Sequence, residues 1–164
     1  MQEMEDVLDF VKFDPGPLSK KPHKDHQGYF KLLNPQFESV SAQGDGAGAK
    51  YAPLTFRFNM GPVDAKTFCD LCRANKKTAV KGLNYSSTYV FEGDRKKQAD
   101  IKYETLTIME AFNEPATGSR GQTVTLKIGW AKATGKIMQY DDSGTIESSL
   151  PIDINIPEGI YTAP

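Results

Sequence analysis

The sequence is poor in the residues that usually announce chemistry. It has two cysteines, two histidines and one tryptophan. Two cysteines, Cys69 and Cys72, are too few for a disulfide framework, and there is no second Cys-x-x-Cys pair to complete a zinc site. There is no excess of one charge: 20 basic and 21 acidic residues leave a formal net charge of −1. Without a basic excess there is little to displace counterions from a nucleic acid, so no nucleic-acid partner is expected. No apolar run reaches the length of a membrane span, so no membrane insertion is expected. Met1 to Phe10 carries Glu3, Glu5 and Asp6, not the basic start and apolar stretch of a secretory signal. The expectation is synthesis and folding in the cytoplasm without a signal peptide. No internal repeat is found.

What the chain does have is β patterning. Val7 to Phe13 reads as a strand stopped by Asp14-Pro15-Gly16-Pro17. Leu18 to Gln27 is a polar loop. Gly28 to Leu33 is a second strand, broken at Asn34-Pro35, and Phe37 to Ala42 can continue the pairing. Leu54, Phe56, Phe58 and Met60 alternate with Thr55, Arg57 and Asn59, the pattern of a half-buried strand. Thr78 to Phe91 is rich in β-branched and aromatic residues, and Glu92 to Lys97 reads as a turn. Ala99 to Phe112 is a long strand signal whose parity switches between Tyr103 and Leu106, which suggests a bulge or burial on both faces. In Thr123 to Lys132 the residues Val124, Leu126, Ile128 and Trp130 share one face.

One helix stands out, at about residues 64–75. Asp64 is its expected N-cap, and Ala65, Phe68, Cys69 and Cys72 fall at i, i+3, i+4 and i+7. The fold class that follows is mainly β, an antiparallel β-barrel with one short flanking α-helix. Two parts are expected: a single β-barrel domain over 1–137 and an extended C-terminal tail or strap over 138–164. In that tail Ile152, Ile154 and Ile156 alternate with Asp153 and Asn155 between Pro151 and Pro157, so they form the apolar stripe of an edge strand.

Each chemical constellation has a plainer reading. Cys69 and Cys72 lie inside the helix on its apolar face, where small buried core residues are expected. His23, Lys24, Asp25 and His26 follow Pro22 in a loop whose lysines would repel a cation. Gly44, Asp45, Gly46, Ala47, Gly48 and Ala49 lack the Lys-Ser/Thr ending and the following helix of a phosphate cradle. Glu104, Glu110 and Glu114 could do acid–base work only if folding brought them together. Trp130 ends an apolar stripe and is expected in the core. No Ser/His/Asp set can be assembled. Hence no catalytic residues, no cofactor and no metal are expected.

The order of these segments resembles the Hcp family, the tube-forming proteins of bacterial type VI secretion systems. The likeness is carried by the opening strand, His26-Gln27-Gly28-Tyr29-Phe30, the Gly-rich loop before Pro53-Leu54-Thr55-Phe56, and the helix start Val63-Asp64-Ala65-Lys66-Thr67. Lys102-Tyr103-Glu104-Thr105-Leu106-Thr107-Ile108 and Val124-Thr125-Leu126-Lys127-Ile128 look like the family's last two long strands. The resemblance spans about 7–132. The family's chains stop soon after the last strand, while this one runs on to 164. The family's usual Asp-Asp-Lys run at the loop start is missing.

The resemblance implies a non-enzymatic structural protein that partners itself in a hexameric ring. Rings would stack into a tube, with sheath, spike and effector proteins as further partners and export by the secretion machine itself. It also implies that Gly44 to Ala49 lie at the contact between stacked rings. Three other readings stay open: a phage-type tail tube protein, a monomeric β-barrel that binds a small ligand, and a redox enzyme using Cys69 and Cys72.

Overall fold

A computed structural model describes residues 7–16, 28–33, 42–43, 50–51, 53–117, 121–157 and 160–162. The elements run β1 (Leu8–Asp14), β2 (Phe30–Lys31), β3 (Ala42–Gln43), β4 (Lys50–Tyr51), β5 (Leu54–Met60), α1 (Pro62–Ala74), β6 (Gly82–Phe91) and β7 (Asp94–Glu104). They continue with β8 (Thr107–Pro115), β9 (Gln122–Gly129), β10 (Lys132–Tyr140), β11 (Ile146–Asn155) and β12 (Ile160–Thr162). Mainly β, antiparallel, with one described helix, the chain has the class expected from its patterning.

The strands form a seven-stranded sheet ordered β12-β11-β10-β7-β6-β1-β2, a three-stranded sheet β5-β9-β8 and a separate pair β3-β4. The large and small sheets pack face to face. Phe13 of β1 meets Phe56 and Phe58 of β5 with ring centroids 6.4 and 5.5 Å apart, and Phe68 of α1 at 5.6 Å. Fully burying a side chain of this size contributes roughly 1.5–3 kcal/mol, so this aromatic knot, in one core with Leu126 and Ile128 of the neighbouring β9, holds the two layers together. The residues before β5 also lace the sheets. The Leu32 amide donates to the Asp9 carbonyl at 2.8 Å, and the Leu33 amide to that of Arg57 at 2.9 Å. The strand ladders among the described residues do not run into one closed barrel.

Several local expectations need correction. The helix starts at Pro62, and its N-cap is Gly61, not Asp64. Proline at the first helical position has no N–H to leave unsatisfied, which starts the helix three residues early; Asp64 then sits in the first turn, where its charge suits the helix dipole. The turn expected at 92–97 is only Glu92-Gly93, both at positive φ, as a two-residue hairpin requires. Its charged continuation from Asp94 is strand.

The parity switch after Tyr103 is neither a bulge nor one strand buried on two faces. The chain breaks at Thr105, whose φ is 57°, and changes sheets. Ile101 and Tyr103 belong to the large sheet and Ile108 to the small one.

Candidate assembly surfaces

The residues with the most familiar chemistry are scattered. Cys69 and Cys72 are buried on the core face of α1, and burial raises both thiols, that of Cys72 to about 12. A thiol held protonated this firmly is a poor nucleophile. Glu104 ends β7, where the nearby Lys102 and Lys132 ammoniums, 3.1 and 3.5 Å away, hold its carboxyl below the usual range. Glu110 and Glu114 lie on β8 in the other sheet, with Glu114 facing Arg57 at 3.6 Å. The three carboxylates therefore do not converge. Trp130 packs edge-on against Tyr103, with centroids 5.1 Å apart, in the core. The histidine loop and Gly44 to Ala49 lie outside the described residues. The positions flanking the glycine loop pair antiparallel, Ala42 with Tyr51 and Gln43 with Lys50. Among the described residues no group of three His, Cys, Asp or Glu side chains could hold a metal, and no helix is long and apolar enough to cross a membrane.

The C-terminal stripe is placed fully. Ile152 and Ile154 lie in β11, opposite Gly135 and Ala133 of β10, and both are buried in the common core. Ile156 is partly buried against that core, and its amide donates to the Ala131 carbonyl at 2.9 Å. β10 runs unbroken through residues 137 and 138, and β11 pairs with it in its own chain along nearly its whole length.

One polar cluster was not singled out from the sequence. Asp9 is fully buried in β1 and accepts hydrogen bonds from the Tyr85 and Ser87 hydroxyls of β6. Gln98 extends the set by donating to the Ser87 hydroxyl at 2.9 Å. The available signal was parity: Asp9 shares a face with Val11 and Phe13, so a carboxylate falls on a core stripe. Burial, then the neighbouring Asp9 carboxylate, raises the Tyr85 phenol far above its ordinary value, so it stays a donor.

The surfaces able to bind another chain are edges and apolar faces. The outer edge of β8 is partly covered: Arg73 donates to the Ala111 carbonyl at 2.6 Å, and the Ile108 amide to the Lys76 carbonyl at 2.8 Å. β11 is different. β12 covers only Asp153 to Asn155, so Ile146 to Ile152 carry no ladder partner on that side among the described residues. Leu150 and Ile146 on this stretch are 43% and 53% exposed. On β8, Met109 and Phe112 are 50% and 44% exposed. Thr125, opposite Phe112 in β9, has a buried hydroxyl with no hydrogen-bond partner. Exposed apolar groups beside open edges are the usual material of strand-mediated assembly.

The architecture thus defined is a mainly β, two-sheet fold with a helix on one flank and no assembled catalytic centre among its described residues. No family model and no curated protein matches the chain. Solved structures do. Hcp1 from Salmonella typhimurium aligns over 95% of this chain and 99% of its own, with a TM-score of 0.68 and 9% identity. A structure described as a type six secretion system protein aligns over the same shares, with a TM-score of 0.72 and 15% identity. Secreted protein Hcp3 from Pseudomonas aeruginosa covers 88% of this chain and 95% of its own, with a TM-score of 0.53 and 8% identity.

The chain has the Hcp fold, the resemblance already legible in the order of its segments. The 95% coverage leaves few residues of this chain outside the Hcp1 alignment, so it extends into the sequence beyond 132.

Proposed function

We propose that the protein is a tube component of a type VI secretion machine. Copies assemble into six-membered rings, rings stack into a tube, and the tube leaves the cell through the machine that built it, with effectors in its lumen. Sheath and spike proteins are its other partners, and it performs no catalysis. The observation that carries this reading is the nearly end-to-end match with Hcp1 and with a type six secretion system protein, each over 95% of this chain. The open edge of β11 and the exposed Met109, Phe112, Ile146 and Leu150 supply material for contacts between copies. Gly44 to Ala49 remain the proposed ring-stacking loop, and the Ile152–Ile154–Ile156 stripe the proposed strap that fixes the C-terminal hairpin.

Light scattering on purified protein across a concentration series tests the reading. A stable particle of six copies is the expected result. A monomer at every concentration, with and without the neighbouring sheath and spike proteins, overturns it.

A further inference from the structure

The strands of the large sheet are in register, so their ends coincide and form two definite surfaces. At one end Asp14, Gly82, Glu104, Lys132 and Asn155 make a single row across β1, β6, β7, β10 and β11. The segment following α1 arrives at the same end, where the Lys81 amide donates to the Asp14 carbonyl at 2.8 Å. Lys76, Lys77, Lys81 and Lys132 gather there, with Lys12 and Lys102 two positions further along the strands. Among the described residues these six lysines stand with four carboxylates, Asp14, Glu104, Asp153 and Asp64, the last beside Pro15 and Gly16 at the start of α1. Glu104 is already held by Lys102 and Lys132. Lys12, Lys76, Lys77 and Lys81 are exposed and make no ion pair among the described residues.

The other end has the opposite sign. The β6–β7 turn and the β10–β11 turn pack side by side, with Tyr89 and Tyr140 ring centroids 5.7 Å apart and the Tyr140 hydroxyl donating to the Lys97 carbonyl at 2.7 Å. Here Glu92, Asp94, Asp141, Asp142 and Glu147 outnumber Arg95, Lys96 and Lys97. Hydrogen bonds from Ser143 and Thr145 hold the Asp141 carboxyl below its usual range, and Lys97 also faces Asp100 at 3.6 Å. β7 spans the two ends, so they lie about 35 Å apart at ~3.3 Å per residue. Among the described residues of the large sheet and its turns, the charges are thus separated along the strand axis.

We infer that copies of this chain meet end to end, the lysine end of one against the acidic turns of the next, in a contact governed by ionic strength. The inference rests on the assembly reading and names which surfaces meet. The ends are complementary to each other and not to themselves, so the contact is heterologous and sets one polarity. Both are exposed, so salt at a few tenths molar, where screening acts within several ångströms, weakens it.

Two charge-reversed variants test it: K76E/K77E/K81E, acidic at both ends, and E92K/D94K/D142K, basic at both. Circular dichroism and thermal melts establish that each folds. Sedimentation velocity then follows particles larger than the basic assembly unit. In the wild type their association constant falls at least about tenfold from 0.05 to 0.5 M NaCl. Each variant alone loses these particles, and an equimolar mixture regains them. Association that ignores salt, or a folded pair whose mixture stays apart, overturns the inference, as does a wild type that never grows beyond its unit at low salt. The mass of the unit in 0.5 M NaCl reads the ring separately. A ring with no end-to-end contact sinks only this inference, and salt-sensitive growth from a monomer sinks only the ring.

Discussion

Gly135 in β10 lies so close to Asp100 in β7 that a Cβ at position 135 would stand 2.1 Å from the Asp100 carbonyl oxygen and 2.8 Å from the Ile101 Cα. Both are backbone atoms of the central ladder and cannot swing aside. Gly135→Ala should therefore destabilise the fold by roughly 3 kcal/mol. Urea denaturation measures it. A loss below about 0.5 kcal/mol, no more than an ordinary surface change, would mean that β7 and β10 are not this close.

Tyr85→Phe removes one donor from the fully buried Asp9 carboxylate. Ser87 remains, so the expected cost is about 1–3 kcal/mol. Tyr85→Phe and Asp9→Asn should be strongly non-additive in a double-mutant cycle, because both act on one network. Additive effects would show that the two side chains do not meet.

The cysteines give a pH dependence with a definite sign. Burial raises both thiols, and Cys72 reaches about 12 against an ordinary 9.0. Between those values the unfolded chain releases its proton while the folded one keeps it, so stability is intact below about pH 9 and falls as pH rises toward 12. Denaturant midpoints should decline over that window, and the decline should shrink in Cys72→Ala. Native protein should also resist alkylation until unfolded. Rapid labelling under native conditions would show that the thiols are accessible.

Thr105 holds a left-handed conformation that β-branched residues rarely adopt. Thr105→Asn should raise stability by about 0.5–1 kcal/mol, since asparagine tolerates that region better. Calorimetry decides; a lower melting temperature would point to a contact of the threonine side chain that outweighs the backbone gain.

Phe112→Glu and Met109→Glu alter half-exposed positions on β8. The isolated fold should change by no more than about 0.5 kcal/mol, while the assembled fraction in light scattering falls. Unchanged assembly would exclude this face from the contact between copies.

The alternation of Leu54, Phe56, Phe58 and Met60 marked β5, and that of Val124, Leu126 and Ile128 marked β9, because each strand has one wet face. Their mutual pairing had no local signature. The helix was legible from its buried face, yet its start was misplaced because proline at the first position acts together with the residue before it. The β10–β11 hairpin was harder to see. Ser148, Ser149 and Pro151 read as a loose strap, since half of β11 is exposed and only Ile152 and Ile154 reach the core. The Asp9–Tyr85 bond joins positions 76 apart in sequence, so no local pattern encodes it. Of the proposed interface, the glycine loop came from resemblance alone, whereas the charged ends exist only once register has aligned five strands.

The passage from β7 into β8 at Thr105 also sets an order of events at the ribosome. β5 leaves the exit tunnel with its apolar face complete, but its only ladder partner among the described residues is β9, residues 122–129. β1 meets the short β2 early, but its long partner is β6. For much of its synthesis the nascent chain carries Leu54, Phe56 and Phe58 without the strand that shields them. Until residues 122–129 have been made, the incomplete chain exposes an apolar strand face that the finished fold buries, and it is to that extent the more aggregation-prone form.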